Sequence, residues 1–426
     1  MNYLKKIDFV IIGFGISGIA SAIEISRTTR SFIIFERNNN PGGCWLLSNK
    51  NSSLQTAKKY YKFTNIDFDK DVNNFPTRDD ILNYLNKVIV KYNLSNHVNY
   101  KSNIEIYTNN DESYKWYIKE KNLNMHIITK NLIFCGGINQ NPRIPNIPII
   151  TNLKNKNCIK IIHSNAFNKI ENSFFETKKN IIIVGNGASC CDILNYLHNT
   201  KINHEIKVFY RNDKFYLPKY IYGIPCFFFL TKFLLNIFEY IPLTVNNFLL
   251  YLANALFIWN LNNLPNSKIN SNNIIASLII QKLMRKQILS YHKEKILQIN
   301  KNLNIVKTNL GIWCNIDLVI FATGYNKSNL IINNKLIQID DLWEYAIPIK
   351  NDKIIYQNLA IIGFAKSYNF PCVCQNRIKW YLKFLKKNNN IDIKKEITLW
   401  CKKTKKRKKN NNLELLDLTY EFYEYL

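Results

Sequence analysis

The chain has 426 residues, 47% of them hydrophobic, which suits two or three folded domains with buried sheets and excludes a disordered or fibrous protein. Its net charge of +28 would ordinarily suggest a nucleic acid or an anionic membrane as partner. Lysine, however, is spread along the whole chain together with abundant asparagine and isoleucine. The charge is therefore a weak indication of partners, and we expect no nucleic-acid partner.

Ten cysteines are scattered without regular spacings, and the first predicted strand starts almost at once, with no secretory signal before it. This pattern is typical of free thiols in a reducing compartment, so we expect a cytoplasmic protein. The pair Cys372 and Cys374 has no second pair of matching spacing. We interpret it as structural rather than as a zinc site, and we expect no bound metal.

The first glycine turn opens the chain. Residues 7–12 form an apolar run of strand length, and residues 16–27 carry small and apolar residues at helical spacing. Glu36 ends the next predicted strand, where a carboxylate can accept hydrogen bonds from a ribose hydroxyl. Strand, turn, helix, strand and acid together predict a dinucleotide site. Its G-x-G-x-x-G motif allows a tight turn, a close pyrophosphate and close helix packing, through Gly13, Gly15 and Gly18.

A second glycine pair follows in residues 36–45, ERNNNPGGCW. An NAD dehydrogenase does not need this pair, whereas a FAD enzyme of the glutathione-reductase type does, because the loop passes close to the extended cofactor. GFGISG, the acid and GGCW together resemble the flavin-containing monooxygenase family, in its plant-type branch. The resemblance implies FAD at this turn, contacted by Gly13, Gly15, Ile16, Ser17, Gly18, Glu36, Arg37, Gly43, Cys44 and Trp45.

Residues 52–68, SSLQTAKKYYKFTNIDF, resemble the stretch that follows the GG-W loop in plant-type members. The resemblance implies that Gln55 and Thr56 lie near the flavin, and we expect Thr56 to act in catalysis by positioning. In animal and fungal members an asparagine beside this threonine contacts flavin and substrate. This chain has Ala57 there, which leaves open whether the enzyme is coupled or releases peroxide.

The family signature F-x-G-x-x-x-H-x-x-x-Y/F is only partly kept, because Asn157 and Ile159 replace its phenylalanine and glycine. His163 matches and is the second candidate catalytic residue. Two interpretations of it stay open: a structural histidine, or a residue that couples the flavin and NADPH halves. Baeyer-Villiger relatives end the signature in tryptophan, so Phe167 argues against that class.

The second glycine turn lies in residues 180–193, NIIIVGNGASCCDI, between a short apolar strand and a helix predicted over residues 188–198. The next strand, EIKVFY, ends in Arg211 rather than in an acid. An arginine there can pair with a 2'-phosphate, so the turn predicts NADPH; a surface arginine that only caps the strand is the alternative. Cys190 departs from the family's third glycine. The predicted contacts are Gly185, Gly187, Ala188, Ser189 and Arg211.

Residues 224–243, IPCFFFLTKFLLNIFEYIPL, are long enough to span a bilayer, but Lys232 and Glu239 interrupt them. A charge near a bilayer centre costs roughly 2.5 to 3.5 kcal/mol. We therefore expect a buried or membrane-resting helix pair there. Residues 221–260 are rich in phenylalanine and leucine, and we expect helices that line or cover the substrate entrance, rest on a membrane as a peripheral contact, or are buried against the flavin domain. The basic block at residues 402–409 predicts a solvated tail, with a nuclear signal or a lipid-surface patch as alternatives.

Two segments resemble those at which the chain leaves and re-enters the flavin domain in the family; they are called the crossings here. Residues 131–148 resemble the family's passage out of it, and residues 317–326, with the ATG motif, resemble the return. A further strand over residues 358–365 precedes a helix predicted around residues 372–386, whose first N–H groups would face the flavin ring. The cofactor contacts expected in these segments are Ala322, Thr323, Gly324 and Gly363.

The order of motifs predicts an α/β fold with two Rossmann-like dinucleotide-binding domains. The expected architecture is a glutathione-reductase-type FAD domain, residues 1–165 and 305–426, with an NADPH domain inserted at residues 166–304. A basic tail ends the second part of the FAD domain. The sequence does not fix the oligomeric state, and a homo-oligomer remains open.

The resemblance implies a FAD- and NADPH-dependent monooxygenase of the N,N-dimethylaniline monooxygenase type. In such enzymes NADPH reduces FAD, a flavin C4a-hydroperoxide forms with O2, and one oxygen atom passes to a nucleophilic nitrogen or sulfur of a small molecule. Three alternatives remain: a Baeyer-Villiger oxygenase, an NADPH oxidase that releases hydrogen peroxide, and a non-catalytic scaffold. The fold alone does not decide the substrate.

Overall fold

Our computed structural model describes residues 4–151, 158–212, 215–217, 219–221, 223–225, 274–276, 279, 283, 288–339, 341–351, 353–365, 367, 369–386 and 393–409. The expected entrance or membrane segment, residues 221–260, lies outside this description apart from residues 221 and 223–225. The C-terminal stretch after residue 409 also lies outside it.

The described helices are α1 (Ile16–Ser26), α2 (Cys44–Leu47), α3 (Arg78–Lys91), α4 (Ala188–Asn199), α5 (Phe370–Phe384) and α6 (Ile393–Lys409). Short 3-10 segments cover Leu94–His97, Ser164–Lys169 and Asn172–Glu176. The predicted helices at residues 16–27, 188–198 and 372–386 therefore lie within two residues of α1, α4 and α5. Both α1 and α4 begin directly after the second glycine of their motif, at Gly15 and Gly187.

The strands, in chain order, are β1 (Leu4–Ile12), β2 (Phe32–Phe35), β3 (Val98–Asn99), β4 (Ile104–Thr108), β5 (Trp116–Glu120), β6 (Met125–Phe134), β7 (Asn141–Pro142), β8 (Ile149–Ile150), β9 (Lys160–His163), β10 (Asn180–Val184), β11 (Glu205–Phe209), β12 (Phe215–Leu217), β13 (Tyr220–Ile221) and β14 (Ile224–Pro225). They continue with β15 (Ile274–Ala276), β16 (Leu289–His292), β17 (Ile296–Asn300), β18 (Ile305–Thr308), β19 (Ile312–Trp313), β20 (Leu318–Phe321), β21 (Tyr325–Asn326), β22 (Ile331–Ile332), β23 (Lys335–Leu336), β24 (Asp341–Trp343), β25 (Ile347–Lys350), β26 (Lys353–Ile354) and β27 (Leu359–Ile361).

The first sheet has the order β3-β2-β1-β6-β5-β4, and β27 adds to β6 as a seventh strand. β1 pairs in parallel with β2 and β6, so Ile12 lies beside both Phe35 and Phe134 at the carboxyl end of the sheet. Apolar side chains of β1 and β2 pack against α1, α3 and α5 in the largest core cluster. The first glycine turn leaves this sheet where ligands bind in open α/β sheets.

The second sheet has the order β16-β11-β10-β20-β9, and its strands run in parallel. Val184 lies beside Phe209 and Phe321, which repeats the arrangement at the end of β1. α4 packs on this sheet through a separate core cluster that includes Ile183, Leu194 and Leu318. The first sheet is mixed, since β4, β5 and β6 pair antiparallel, and the second is parallel. In each sheet a glycine turn follows a strand that has parallel neighbours on both sides, which confirms the predicted Rossmann-like fold class.

The second sheet extends beyond the range expected for the inserted domain. β9 precedes residue 166 and β20 follows residue 304, yet both pair within this sheet. The boundaries predicted at residues 166 and 304 therefore cut the sheet. The cause is the ATG strand: its sequence resembles a return into the flavin domain, but its backbone hydrogen-bonds to β10.

Candidate active site

The first glycine turn needs glycine at two positions. Gly13 has φ +98°, and a Cβ added there would lie 2.7 Å from the Cys135 carbonyl oxygen. A Cβ added at Gly18 would lie 1.9 Å from the Gly13 carbonyl oxygen. The start of α1 is therefore packed directly on the turn, as the motif predicts.

Glu36 fixes the other side of this turn. The residue is buried, and its carboxylate accepts hydrogen bonds from the Phe14 N–H at 2.7 Å and the Asn38 N–H at 2.9 Å. The Asn38 side-chain amide donates to the same carboxylate at 2.7 Å. A carboxylate has about four acceptor positions, so one stays available to a ribose hydroxyl. Glu36 both shapes the turn and faces the adjoining cavity.

A cavity of about 440 Å³, here called the first cavity, adjoins this turn. The two glycine-rich loops meet on its wall, where a Cβ added at Gly15 would lie 3.2 Å from the Gly43 Cα. A side chain at Gly15 would press on the second loop, so glycine keeps the two loops close together beside the cavity. The predicted flavin contacts on the wall are Gly13, Gly15, Ile16, Ser17, Glu36, Arg37, Gly43 and Cys44, and Gly18 supports the turn from behind.

Cys44 and Tyr61 lie on the walls of both the first cavity and a neighbouring one. Burial raises the pKa of the Cys44 thiol to about 11, so this sulfur is a neutral thiol at physiological pH. Trp45 donates its indole N–H to the Tyr61 hydroxyl at 3.0 Å and lines only the neighbouring cavity. The GGCW loop therefore separates the two cavities with neutral side chains.

The second glycine turn repeats the geometry of the first. Gly185 has φ +106°, and an added Cβ would lie 2.4 Å from the Ala322 carbonyl oxygen. Nothing lies within 4 Å of a Cβ added at Gly187. This open space in front of the helix start is what a bound pyrophosphate requires. Cys190 is fully buried on the core-facing side of α4, and burial raises the pKa of its thiol well above the usual value.

Arg211 lies just beyond the carboxyl end of β11 and is exposed. The Asn186 side-chain amide donates to the Asn212 carbonyl at 3.0 Å, which holds the loop after β11 beside the glycine turn. An exposed guanidinium next to this turn fits the predicted contact with a 2'-phosphate. Gly185, Gly187 and Arg211 are not among the residues that line either cavity.

The second cavity has a volume of about 360 Å³ and lies between the two halves. Its wall combines Gln55 and Thr56 from the flavin half with Ala188 and Ser189 from the start of α4. It shares five wall residues with the first cavity, which are Cys44, Tyr61, Asn139, Gln140 and Ser367. A ligand at the second turn and one at the first turn would therefore meet across a common wall.

Residues 48–56, here called the junction loop, carry much of the second cavity's wall. On the flavin side the Arg78 N–H donates to the Ser52 carbonyl at 2.8 Å, and the Leu54 N–H donates to the Pro76 carbonyl at 2.9 Å. On the other side Asn168 accepts from the Lys50 N–H at 3.2 Å and donates its amide to the Ser48 carbonyl at 2.9 Å. The loop is thus held from both halves.

Asp192 of α4 is a further contact between the halves and lines the second cavity. Its carboxylate accepts hydrogen bonds from the Ser52 side chain and the Ser53 backbone. Burial raises the pKa of this carboxyl to about 6, although those hydrogen bonds and the nearby Lys219 act in the opposite direction. Lys219 in turn donates to the Ser53 hydroxyl at 2.6 Å.

His163 lies at the end of β9 and is buried. Its Nε2 lies 3.0 Å from the Gly324 carbonyl oxygen, and its Nδ1 accepts from the Asn165 N–H at 3.3 Å. The Nε2–H tautomer satisfies both contacts. His163 lines neither cavity, whereas the next two residues line the second. Both ring nitrogens thus have partners within the protein, as a structural histidine would, and the role of His163 in catalysis stays a prediction.

The ATG residues support the second sheet rather than the cavity walls. The Ala322 carbonyl lies directly beside Gly185. The Thr323 hydroxyl donates to the Arg143 carbonyl. The Gly324 carbonyl lies within hydrogen-bond distance of the His163 ring. Gly363, with φ +88°, packs against α1, where an added Cβ would lie 2.7 Å from the Ser17 Cβ. None of these four residues lines either cavity. Near the start of α5, Ser367 and Phe370 reach the first cavity instead.

Two other expectations concern membranes and metals. Within the part of the chain that the structure describes, no helix combines the length and the apolar character needed to cross a bilayer. Cys372 and Cys374 lie on α5 and are buried. The described residues contain no group of three or more candidate ligands that could hold a metal ion. Both thiol pKa values are raised by burial, as expected for structural cysteines.

The fold and the paired glycine turns define a protein with two Rossmann-like dinucleotide-binding folds. The sequence matches the model of a family described as flavin-binding monooxygenase-like over residues 4–421. The chain belongs to this family, which confirms the resemblance drawn from GFGISG, Glu36 and GGCW. The family also confirms the predicted flavin.

Among curated relatives, the chain is 23% identical over 222 residues to flavin-containing monooxygenase FMO GS-OX5 of Arabidopsis thaliana, a match that covers 45% of this chain and 46% of the relative. It is 29% identical over 238 residues to the thiol-specific monooxygenase of Saccharomyces cerevisiae, covering 49% and 51%. The matched region thus spans about half the length of these relatives. Among solved structures, cyclohexanone monooxygenase from Rhodococcus sp. Phi1 bound to NADP+ superposes with a TM-score of 0.69 at 15% identity, covering 90% of this chain and 85% of that one.

Several residues of the site were not predicted from the sequence. Asn49, Ser52 and Asp192 come together only because the junction loop meets α4, and a single sequence does not show which loops meet. Asn139 and Gln140 belong to the passage out of the flavin domain, and they line both cavities. Only Asp192 lies within a stretch that the sequence had singled out, because it belongs to the second glycine turn, NIIIVGNGASCCDI.

Proposed function

We propose that this protein is a FAD- and NADPH-dependent monooxygenase that transfers one oxygen atom from O2 to a nucleophilic sulfur or nitrogen of a small molecule. The observation that carries the proposal is the common wall of the two cavities, each of which adjoins one glycine turn or the helix that follows it. Hydride transfer between two cofactors requires such a contact. Bound flavin would supply the redox chemistry and the activation of oxygen.

The chain's own residues have binding and positioning roles in this proposal. Gly13, Gly15 and Glu36 would hold the flavin dinucleotide, and Gly187 and Arg211 would hold NADPH. The GGCW loop and Tyr61 would keep the space between the cofactors free of charged groups. His163 would position the crossing at Gly324 through its hydrogen bond. Thr56, on the wall of the second cavity, would help to position the reactants.

Sulfur is the favoured nucleophile because one curated relative is named a thiol-specific monooxygenase. Oxygenation of amines stays within the proposal, since both atoms react as soft nucleophiles. We also propose that the inserted NADPH domain runs from Cys158 to Ala322, so that β9 and β20 belong to it. O2 and a small molecule are the proposed partners, and peripheral membrane contact remains a proposal for residues 224–243.

A peroxide-releasing NADPH oxidase is the second candidate, and Ala57 favours it. Ala57 is fully buried and its side chain is apolar, so this position supplies no side-chain amide to the flavin or the substrate. Baeyer-Villiger chemistry has a weaker basis, since the likeness to cyclohexanone monooxygenase concerns the fold.

The test is oxygen consumption by the FAD-loaded protein with NADPH and with NADH, in the presence of a thiol, a thioether, a tertiary amine or a cyclic ketone. We expect NADPH to be preferred and a sulfoxide or oxidised thiol to form with little peroxide. Peroxide equal to the NADPH consumed, whatever the substrate, would instead establish the oxidase. Ester from the ketone would establish a Baeyer-Villiger enzyme, and bound FAD without NADPH oxidation would contradict all three enzymes.

A further inference from the structure

Three polar side chains lie together at the end of β16, away from both cavities. Ser290 and His292 are two residues apart on this strand, and Glu294 follows in the connection to β17. The His292 Nε2 lies 2.9 Å from the Ser290 Oγ, and the His292 Nδ1 lies 3.5 Å from a Glu294 carboxylate oxygen. A hydroxyl, an imidazole and a carboxylate therefore contact one another in the order that defines the catalytic triad of serine hydrolases.

The Glu294 carboxylate is held in place from behind. The residue is buried, and its Oε2 accepts hydrogen bonds from the Thr308 hydroxyl at 2.6 Å and the Trp313 indole N–H at 3.1 Å. The oxygen that faces His292 is the other one, Oε1. A carboxylate beside Nδ1 favours the tautomer with hydrogen on that nitrogen, which leaves Nε2 free to accept from a hydroxyl.

The His292 ring is fixed by aromatic neighbours and is uncharged. Its centroid lies 4.7 Å from that of Trp313 and 5.6 Å from that of Phe209, both in edge-to-face contact. Burial lowers the pKa of His292, and the nearby Lys207 acts in the same direction, while Glu294 acts in the opposite one. The imidazole is therefore neutral at physiological pH, as a general base must be before it takes a proton.

The serine end of this group is accessible and has a positive charge beside it. Ser290 is exposed, and its register partner on β11 is Lys207. Paired residues on neighbouring strands project from the same face of a sheet, so the lysine and the serine share a face. The Lys207 Nζ lies 5.4 Å from the centroid of the Trp313 ring and pairs with Glu205, which fixes its position. A positive charge there favours an oxygen that becomes negative during attack by the serine.

We propose that Ser290 is the nucleophile of a second, hydrolytic site that cleaves small carboxylic esters, with His292 as general base and Glu294 as the residue that positions His292. The Ser290 oxygen bonds to the ester carbonyl carbon while its proton passes to the His292 Nε2. The bond from that carbon to the alcohol oxygen then breaks, and the alcohol leaves with this proton. Water attacks the acyl carbon by the same route, which releases the acid and returns the proton to Ser290. Neither FAD nor NADPH takes part, so this activity is separate from the proposed monooxygenase.

Four variants of the full-length, FAD-loaded protein test the site. Ser290→Ala removes the nucleophile, and His292→Gln removes the base while keeping a polar side chain. Glu294→Gln keeps an oxygen for the two donors behind it and removes the negative charge that faces the imidazole. Ser113→Ala is the matched control, because it removes another exposed serine, in the loop between β4 and β5.

The first measurement is the release of 4-nitrophenol from 4-nitrophenyl acetate, followed over many equivalents of ester so that acetylation of surface lysines does not count as turnover. Ser290→Ala and His292→Gln should lower kcat/KM about a hundredfold, and Ser113→Ala should stay within twofold of the wild type. Glu294 raises the pKa of His292, against the effect of Lys207. Glu294→Gln should therefore lower kcat about tenfold and move the rise of kcat/KM with pH to lower pH, which a merely structural role would not do.

The second measurement locates the nucleophile with a fluorophosphonate, which bonds to an activated serine oxygen as fluoride leaves. Peptide mass spectrometry should find the adduct on Ser290 in the wild type and in Ser113→Ala, but not in His292→Gln. Ester turnover by the wild type that equals that of Ser290→Ala and His292→Gln within twofold, or no turnover above buffer, would overturn the site. An adduct found only on other residues would overturn it as well. FAD content and a thermal melt show that each variant is folded, and the labelling of the wild type decides if Ser290→Ala is not.

Discussion

The two glycine turns have nearly the same backbone and different surroundings. Gly13 and Gly185 have φ values of +98° and +106°. A Cβ added at either glycine would clash with a backbone carbonyl just past the end of the neighbouring parallel strand, that of Cys135 after β6 or that of Ala322 after β20. Gly15 and Gly187 both cap their helices in an extended conformation. The backbone at these turns therefore specifies a dinucleotide but not which one. The neighbouring side chains must make that choice.

The first difference lies at the end of the second strand. The Gly13 N–H donates to the Phe35 carbonyl and the Gly185 N–H to the Phe209 carbonyl, so these phenylalanines occupy matching positions. The next residue is Glu36 in the flavin half and Tyr210 in the other. A carboxylate there accepts from a ribose hydroxyl but repels a 2'-phosphate. The absence of an acid at Tyr210 is therefore compatible with a 2'-phosphate at the second turn, as is the predicted role of Arg211.

The second difference lies in the helix. α1 has Gly18 and Ala20, and both positions are buried within the flavin half. α4 has Cys190 and Asp192 at the matching places, and Asp192 contacts the junction loop of the other half. α1 is therefore built for close packing within its domain, whereas α4 also joins two domains. Five substitutions, ordered by expected effect, test these differences.

Gly18→Cys places in the first turn the residue that the second turn carries. Its Cβ would lie 1.9 Å from a backbone oxygen, which cannot rotate away. We expect a loss of about 3 kcal/mol or more in unfolding free energy and protein purified without FAD. Gly311→Cys, with open space around an added Cβ, is the control. Full FAD content and an unchanged denaturant midpoint would show that α1 is not packed as tightly as described.

Asp192→Asn tests the contact between the halves through its pH dependence. The folded-state pKa of about 6 exceeds the ordinary value of 3.8, so the folded protein binds more protons between these pH values. The stabilisation from this group is therefore full below about pH 3.8 and is lost as pH rises through 6, by roughly 3 kcal/mol at most. Denaturant unfolding at pH 4 to 7 should show that the variant lacks this decline. Parallel curves for both proteins would contradict the raised pKa.

Arg211→Ala tests the choice of cofactor. Loss of a charge-assisted contact with a 2'-phosphate costs about 1.5 to 3 kcal/mol, so kcat/KM for NADPH should fall at least tenfold while that for NADH stays within twofold. An exposed lysine on β18, changed in Lys307→Ala, controls for the loss of one positive charge. An equal fall with both dinucleotides would mean that Arg211 only caps its strand.

Gly187→Ala separates the needs of the cofactor from those of the fold. Nothing in the protein lies within 4 Å of the added Cβ, and φ is −85°, so alanine fits the backbone. Unfolding free energy should change by less than about 1 kcal/mol, because only an N-cap preference is lost. A methyl group facing the pyrophosphate should raise the KM for NADPH about tenfold. Gly311→Ala provides the comparison, and an unchanged KM would place the phosphates elsewhere.

The glycine motifs, the acid and the family resemblance predicted the fold class, because each is a local pattern that the backbone needs. The predicted strands at residues 181–184 and 7–12 agree with β10 and the end of β1. The domain boundaries could not be placed in the same way. The ATG strand is apolar throughout and fits either sheet, and only its pairing with β10 decides between them.

The second cavity was harder to predict than the turns. Thr56 was found through the family, but Asn49 and Asp192 have no local signal as neighbours, since they lie far apart in sequence and meet through the junction loop. His163 was found by its motif, yet its contact with Gly324 depends on the pairing of β9 with β20. Local sequence patterns thus identified the cofactors, whereas tertiary contacts determine which residues line the cavities.

Cys190→Gly gives the second turn the complete glycine motif and should have the smallest effect on cofactor binding. Cys190 lies on α4 and is fully buried among apolar side chains. The distance between α4 and its sheet therefore already accommodates a side chain at this position. Glycine in a helix costs about 1 kcal/mol relative to alanine, and the lost sulfur adds a small cavity. We therefore expect lower stability with the KM for NADPH within twofold of the wild type. A markedly lower KM would show instead that Cys190 holds α4 away from the cofactor, and that the third glycine matters in this turn too.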